Sequence, residues 1–174
     1  MVVDAAHPFE ARFGTIARGL ELPYLRVTRE EWTPKQNEDW INVASMKEAV
    51  AAVPRAARVF LATGRGSVHA FKERADAYVM CRQLEQHEHA FPLDNGAYVF
   101  GAGPFSVTAE MQTFHTLKVD FLILRNSGSV QGRSKVDASG NLGIKVIMIQ
   151  KTDVGVPQFQ TATILDVAKR VADC

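Results

Sequence analysis

Three loops place residues suited to anion binding just beyond short apolar runs: Asp4 to Phe9, Thr63 to Ser67 and Asn126 to Ser129. Each follows a stretch with strand character and precedes a helical pattern. On neighbouring parallel strands the three would share the carboxyl edge, where helix N-terminal N–H groups face an anion and where open α/β sheets bind ligands. Thr63-Gly64-Arg65-Gly66-Ser67 alone is only a G-x-G, without the third glycine of the dinucleotide fingerprint, and a tight strand-to-helix turn explains it too. Asn126-Ser127-Gly128-Ser129 is open to the same two readings, a backbone cradle for a ligand or a plain turn. Gly101-Ala102-Gly103-Pro104-Phe105 is a fourth such loop, and a rigid Pro-Phe corner ahead of a helix is its simple alternative.

The cations near these loops are Arg12, Arg65, Arg125, Arg133 and Lys135. Singly, each reads as a solvated surface charge; clustered at one edge they would suit a polyanion, since guanidinium groups match carboxylate and phosphate. His7, three residues after Asp4, is a candidate proton donor or substrate anchor, or a side chain that caps its own helix. His87 and His89 with Glu85 and Glu88 form an H-x-H. No third ligand follows at a recognisable spacing, so no metal centre is expected, and an exposed polar connection explains the segment. There is no G-x-S-x-G elbow, no P-loop lysine and no cysteine placed as a nucleophile, so nucleophilic catalysis is not indicated.

The elements that must position these groups alternate. Apolar runs at 22–27, 40–43, 58–62, 77–84, 98–100, 119–124 and 145–149 read as strands, with helical patterns between most of them. Val119 to Ile149 is the clearest unit: two β-branched runs joined by a connection too long for a hairpin predict a parallel strand-crossover-strand. Its middle is a poor helix former, because Gly128, Gly132, Gly140 and Gly143 each weaken a helix interior by roughly 1 kcal/mol. Ser45 and Glu48 form a capping box, Ser106 is an N-cap, and Thr163 with Asp166 predicts a second capping box on the last helix. Pro8 suits a first helical turn, with Phe9, Phe13, Ile16 and Leu20 on its apolar face. Val107, Met111, Phe114 and Leu117 form such a face on the helix after Ser106, and Ile164, Leu165, Ala168 and Val171 on the last helix. The alternation predicts an α/β protein with a mostly parallel sheet and flanking helices. A boundary between two lobes, 1–56 and 57–174, is expected where Pro54 ends a helix.

The chain has 174 residues, 20 basic and 19 acidic side chains and a net charge of +1, which leaves no electrostatic footprint for nucleic acid or an anionic membrane. No apolar run is long enough to span a bilayer and no signal-like N-terminal core is present, so a cytoplasmic protein is the expectation. Cys81 and Cys174 do not suggest a disulfide framework. Met1-Val2-Val3-Asp4 reads as the tail of a strand, which leads one to expect a further segment upstream and a first lobe that is incomplete.

Taken together, VVDAAHPFEAR (2–12), LPYLRV (22–27), VFLATGR (59–65), GPF (103–105), RNSG (125–128), SKVDAS and LGIKVIMI resemble the precorrin-6A reductases of cobalamin biosynthesis, in family order and over nearly the whole chain. The resemblance implies two Rossmann-like lobes and an NADP-dependent oxidoreductase acting on a CH–CH bond, with hydride transfer from NADPH to a corrin precursor. It implies cofactor contacts at Thr63, Gly64, Arg65, Asn126, Ser127 and Gly128, and tetrapyrrole contacts at His7, Arg12 and Lys135, with His7 the candidate catalytic group. Two departures stand out. The family's Gly-Gly-Thr loop ahead of the His-Pro-Phe block is not in this sequence, which makes a fragment that binds tetrapyrrole or a partner without catalysing the alternative. Arg125 and Ser129 stand where a lysine and a glycine are expected.

Overall fold

A computed structural model of the protein describes residues 2–10, 12–19, 24–151, 158–160 and 164–172. All its strand pairings are parallel, in two sheets that belong to two compact units.

The smaller unit gathers Met1–Trp32, Ser127–Ser129 and Lys151–Cys174. Its sheet has the order β1 (Val2–Asp4), β2 (Tyr24–Thr28), β9 (Gln158–Gln160), with Asp4 paired to Arg26 and Arg26 to Gln158. Helix α1 (Arg12–Gly19) links β1 to β2. Its inward face is not the expected one: Gly14 and Ala17 are buried, whereas Phe13 and Ile16 are 50% and 57% exposed. Small residues let a short helix approach a sheet closely, and that packing overrides the larger apolar stripe. Pro8 and Phe9 form a turn ahead of the helix instead of its first turn. On α5 (Ile164–Ala172), Leu165 and Val171 of the expected stripe are likewise exposed. The Thr163 cap lies outside the described residues, as do Leu20 and Leu22.

The larger unit holds Thr33–Asn126 and Val130–Gln150. Its six strands run in the order β3 (Trp40–Val43), β8 (Lys145–Ile149), β7 (Phe121–Arg125), β4 (Arg58–Leu61), β5 (Tyr78–Gln83), β6 (Gly96–Phe100). The near-continuous apolar runs follow from burial on both faces of a parallel sheet: Val59, Phe60, Leu61, Leu122, Ile123, Val146, Ile147 and Met148 are fully buried. The expected crossover is present as β7, α4 (Val130–Leu142) and β8. Gly132 and Gly140 lie inside α4. Gly140 has a packing reason to be glycine, since a Cβ there would come within 2.9 Å of Glu38 Cγ. The expected division near residues 54–57 is not where the two units part, because β3 pairs with β8 and draws residues 33–56 into the larger sheet.

Local signals placed the helix starts of this unit. Glu48 N donates to Ser45 Oγ (3.2 Å) at the head of α2 (Met46–Ala52), while Glu48 Oε2 accepts from Ala44 N (3.0 Å). Ala109 N donates to Ser106 Oγ (3.1 Å) to open α3 (Val107–Leu117). Residues 65–71 form a 3-10 helix. Among the described residues no helix is long and apolar enough to cross a membrane, and no group of three or more His, Cys, Asp or Glu could hold a metal ion.

Candidate functional site

In the smaller unit the His7 loop is wound around a buried cation. Arg26 is 2% exposed and donates through Nη2 to the main-chain carbonyls of Pro8 (3.0 Å) and Glu10 (2.5 Å), with a longer contact to His7 O (3.4 Å). A guanidinium with several donors in a fixed fork can gather successive carbonyls of one turn. Asp4, buried at the end of β1, accepts from Ala6 N (2.9 Å) and from the Tyr24 hydroxyl, which fixes the start of the same loop. His7 itself is exposed; its Nδ1 accepts from Phe9 N (3.3 Å), so the neutral ring carries its proton at Nε2. Arg12 spends its guanidinium on Glu10 in a two-point pair, Nε to Oε1 and Nη2 to Oε2 at 2.9 Å each. The Arg12 hydrogen bonds hold the Glu10 carboxyl down at about 2, and Glu10 in turn raises Arg12.

The Ser127–Ser129 segment belongs to the same unit. Gly128 has φ +66, and a Cβ built on it would meet Glu30 O at 2.0 Å. Ser127 Oγ donates to Ser129 Oγ (3.3 Å) and accepts from Ser129 N (3.4 Å). Lys151 Nζ donates to Arg29 O (3.1 Å) and pairs with Glu31 (3.4 Å), so residues 29–31 are held by Lys151 and packed against Gly128.

In the larger unit, the carboxyl ends of β4, β7, β8 and β3 carry a band of polar groups. Thr63 O accepts from Ser67 Oγ (3.3 Å) and Arg125 Nη1 (3.4 Å), while buried Thr63 Oγ1 has no partner among the described residues. Gly64, Arg65 and Gly66 are exposed; Gly64 has φ +90 and open space where a Cβ would stand. Asn126 is buried, its main-chain N donating to Ile149 O (2.8 Å). Its side-chain amide donates to Gln150 Oε1 (3.1 Å), and Gln150 Nε2 donates to Asn42 Oδ1 (2.6 Å). These amides join the ends of β7, β8 and β3.

A second constellation in this unit gathers around the Gly101–Phe105 loop. Glu110, on the first turn of α3, is fully buried; its Oε2 accepts from Arg82 Nη2 (2.8 Å), and Lys135 Nζ makes an ion-pair contact to Oε1 at 3.1 Å. The face of Phe105 lies 4.2 Å from Arg82 Cζ and 5.2 Å from Lys135 Nζ. Burial pulls Arg82 below the usual arginine value, and Glu110 opposes that shift.

Of the residues singled out from sequence, the structure brings Thr63 and Arg125 into contact, sets Gly64 and Arg65 beside them, and places Lys135 with Glu110 rather than on a free surface. His7 and Arg12 share the smaller unit, joined through Glu10. His87 and His89 lie outside any strand, with ring centroids 5.2 Å apart, and His87 packs edge-on to Tyr98 and Phe100. Arg26, Arg82 and Glu110 were not foreseen. The signal existed for each: Arg26 and Arg82 interrupt apolar strands, and Glu110 stands on the same helical face as Val107 and Phe114.

Comparison with known proteins completes the description. Residues 1–172 match the model of the family described as Precorrin-6x reductase CbiJ/CobK. The precorrin-6A reductase of Rhodococcus erythropolis is 33% identical over 178 residues, covering 98% of this chain and 69% of the relative. The precorrin-6A reductase of Mycobacterium tuberculosis H37Rv is 34% identical over 155 residues, covering 86% and 62%. That of Rhodobacter capsulatus is 30% identical over 160 residues, covering 88% and 63%. A solved structure, CobK precorrin-6A reductase, superposes with a TM-score of 0.89 at 28% identity, covering 99% of this chain and 72% of that one. The chain thus spans 60% to 69% of the length of the curated relatives it matches.

Proposed function

The chain belongs to the precorrin-6x reductase family, and from that premise we propose that it reduces a precorrin macrocycle in cobalamin biosynthesis using NADPH. The observation that carries the reading is the family match over residues 1–172, on a fold with a TM-score of 0.89 to a precorrin-6A reductase. Reduction of a carbon–carbon double bond takes up one hydride and one proton. A bound reduced nicotinamide would supply the hydride.

The residues of the Thr63 loop fit a nucleotide. Buried Thr63 Oγ1 lacks a partner among the described residues, the Gly64 backbone is unobstructed, and the exposed Arg65 guanidinium suits phosphate geometry. Asn126, Ser127 and Gly128 complete the proposed cofactor set. Arg12 and Lys135 serve carboxylates of the tetrapyrrole. His7 is the candidate proton donor to the reduced macrocycle, acting from its imidazolium form and returning to the neutral ring, and Arg26 and Asp4 hold its loop in register through the main chain.

The test is titration of the purified protein with NADPH, followed by anaerobic mixing with precorrin-6A. Saturable binding at micromolar levels that weakens in Arg65→Ala, and substrate-dependent loss of the nicotinamide absorbance, are expected. Tetrapyrrole binding with no NADPH oxidation would contradict the reductase reading.

A further inference from the structure

One buried cluster in the larger unit holds more positive charge than its carboxylate offsets. Arg82 and Lys135, with 7% and 14% of their side chains exposed, share one carboxylate, that of fully buried Glu110. Neither cation has another acidic partner among the described residues, so the cluster carries a surplus of one positive charge. An unbalanced charge out of water is costly, and the Phe105 face that both cations approach returns only part of that cost. Arg82 Nε is buried without an acceptor among the described residues.

A Cβ added to Gly101 would come within 2.8 Å of Arg82 Nη1 and 3.0 Å of the Phe105 ring, so only glycine lets the loop after β6 pack this closely on the cluster. Gly101 directly follows β6, Arg82 is next to last in β5, and Ser106 caps the head of α3. The cluster therefore sits at the carboxyl edge of this sheet, below an exposed Ala102–Pro104 stretch.

We propose that Arg82, Glu110 and Lys135 beneath Phe105 form a binding site for one oxyanion group of a ligand, a carboxylate or a phosphate. Lys135 makes the outer contact and Arg82 the inner one, while Glu110 holds the two cations at fixed positions. The ligand anion supplies the charge that the cluster lacks. The inference rests on the reductase reading only for its choice of probes: a carboxylate from a tetrapyrrole or a phosphate from a nucleotide.

Calorimetric titration of the full chain with uroporphyrin I, a soluble tetrapyrrole polycarboxylate, and separately with NADP+, tests it. Lys135→Met leaves a balanced Arg82–Glu110 pair. It is expected to keep the wild-type melting temperature while losing about tenfold or more in affinity for one of the two probes, which identifies the source of the anion. In wild-type protein the same probe is expected to slow acetylation of Lys135, read by mass spectrometry, a measurement independent of any variant's folding. Affinities within about twofold of wild type for both probes, or no protection of Lys135 by either, would overturn the proposal. Loss of reductase turnover with probe binding and protection intact would count against the reductase reading alone.

Discussion

Replacing Gly128 by alanine, with Gly143→Ala as its control, isolates the steric role of the loop after β7. The two glycines have nearly the same backbone, φ +66 and +67, so alanine at either meets the same left-handed penalty of roughly 1–2 kcal/mol. Loss of unfolded-chain freedom returns about half a kcal/mol to each. Their surroundings differ. Gly143 has open space, whereas a Cβ at Gly128 would stand 2.0 Å from Glu30 O, 2.9 Å from Arg29 Cβ and 3.0 Å from Glu30 C. Ordinary contact begins near 3.4 Å, so the Glu30 carbonyl must retreat by about 1.4 Å, and it is main chain that no rotamer change can move. Overpacking of this kind adds about 1–3 kcal/mol, so Gly143→Ala should cost about 1 kcal/mol and Gly128→Ala about 2–4 kcal/mol. The chain's two tryptophans divide between the units, Trp32 in the smaller and Trp40 in the larger. Urea unfolding followed by fluorescence in Trp40→Phe and Trp32→Phe backgrounds therefore reads each glycine in its own unit. Equal losses for the two substitutions would refute the close packing of Gly128 on residues 29–30.

Further outcomes follow from the buried charges. Glu110→Gln leaves Arg82 and Lys135 facing each other without a counter-charge and should cost about 3–5 kcal/mol in urea unfolding, whereas Lys135→Met should be nearly neutral. Arg26→Met strips the carbonyls of Pro8 and Glu10 of their charged donor; about 3 kcal/mol of stability in the smaller unit and slowed exchange of the amides of Ala6, His7, Phe9 and Glu10 should be lost. The Glu10 carboxyl is lowered from 4.5 to about 2, first by its hydrogen bonds to Arg12. A depressed folded value means the unfolded chain binds more protons, so this stability is present above about pH 4.5 and is lost as pH falls toward 2; Glu10→Gln should flatten the stability profile in that window. Ser45→Ala should cost about 1 kcal/mol through loss of the α2 cap, checked by the same denaturation curves.

What the sequence made legible was local. The β7–α4–β8 crossover could be read because two β-branched runs flank a connection of the right length, and the Ser45 and Ser106 caps because a cap needs only neighbours in sequence. The division into units was not legible, since it depends on β3 pairing with β8 about a hundred residues away. The inward face of α1 was hidden for another reason: Gly14 and Ala17 carry little hydrophobicity, and their burial expresses the closeness of helix to sheet rather than apolar periodicity. At the site, the loops were found by their glycines and polar residues. Arg26 and Glu110 were passed over because a charged residue within an apolar pattern is read as surface until its partner, 16 to 28 residues distant, is known.

The most direct test of the central claim is an anaerobic reaction of the purified chain with NADPH and precorrin-6A, following nicotinamide absorbance and the macrocycle spectrum together. Consumption of NADPH that requires the substrate, matches its reduction mole for mole and falls about tenfold or more in Arg65→Ala is the expected result. No saturable NADPH binding and no substrate-dependent oxidation would contradict the assignment.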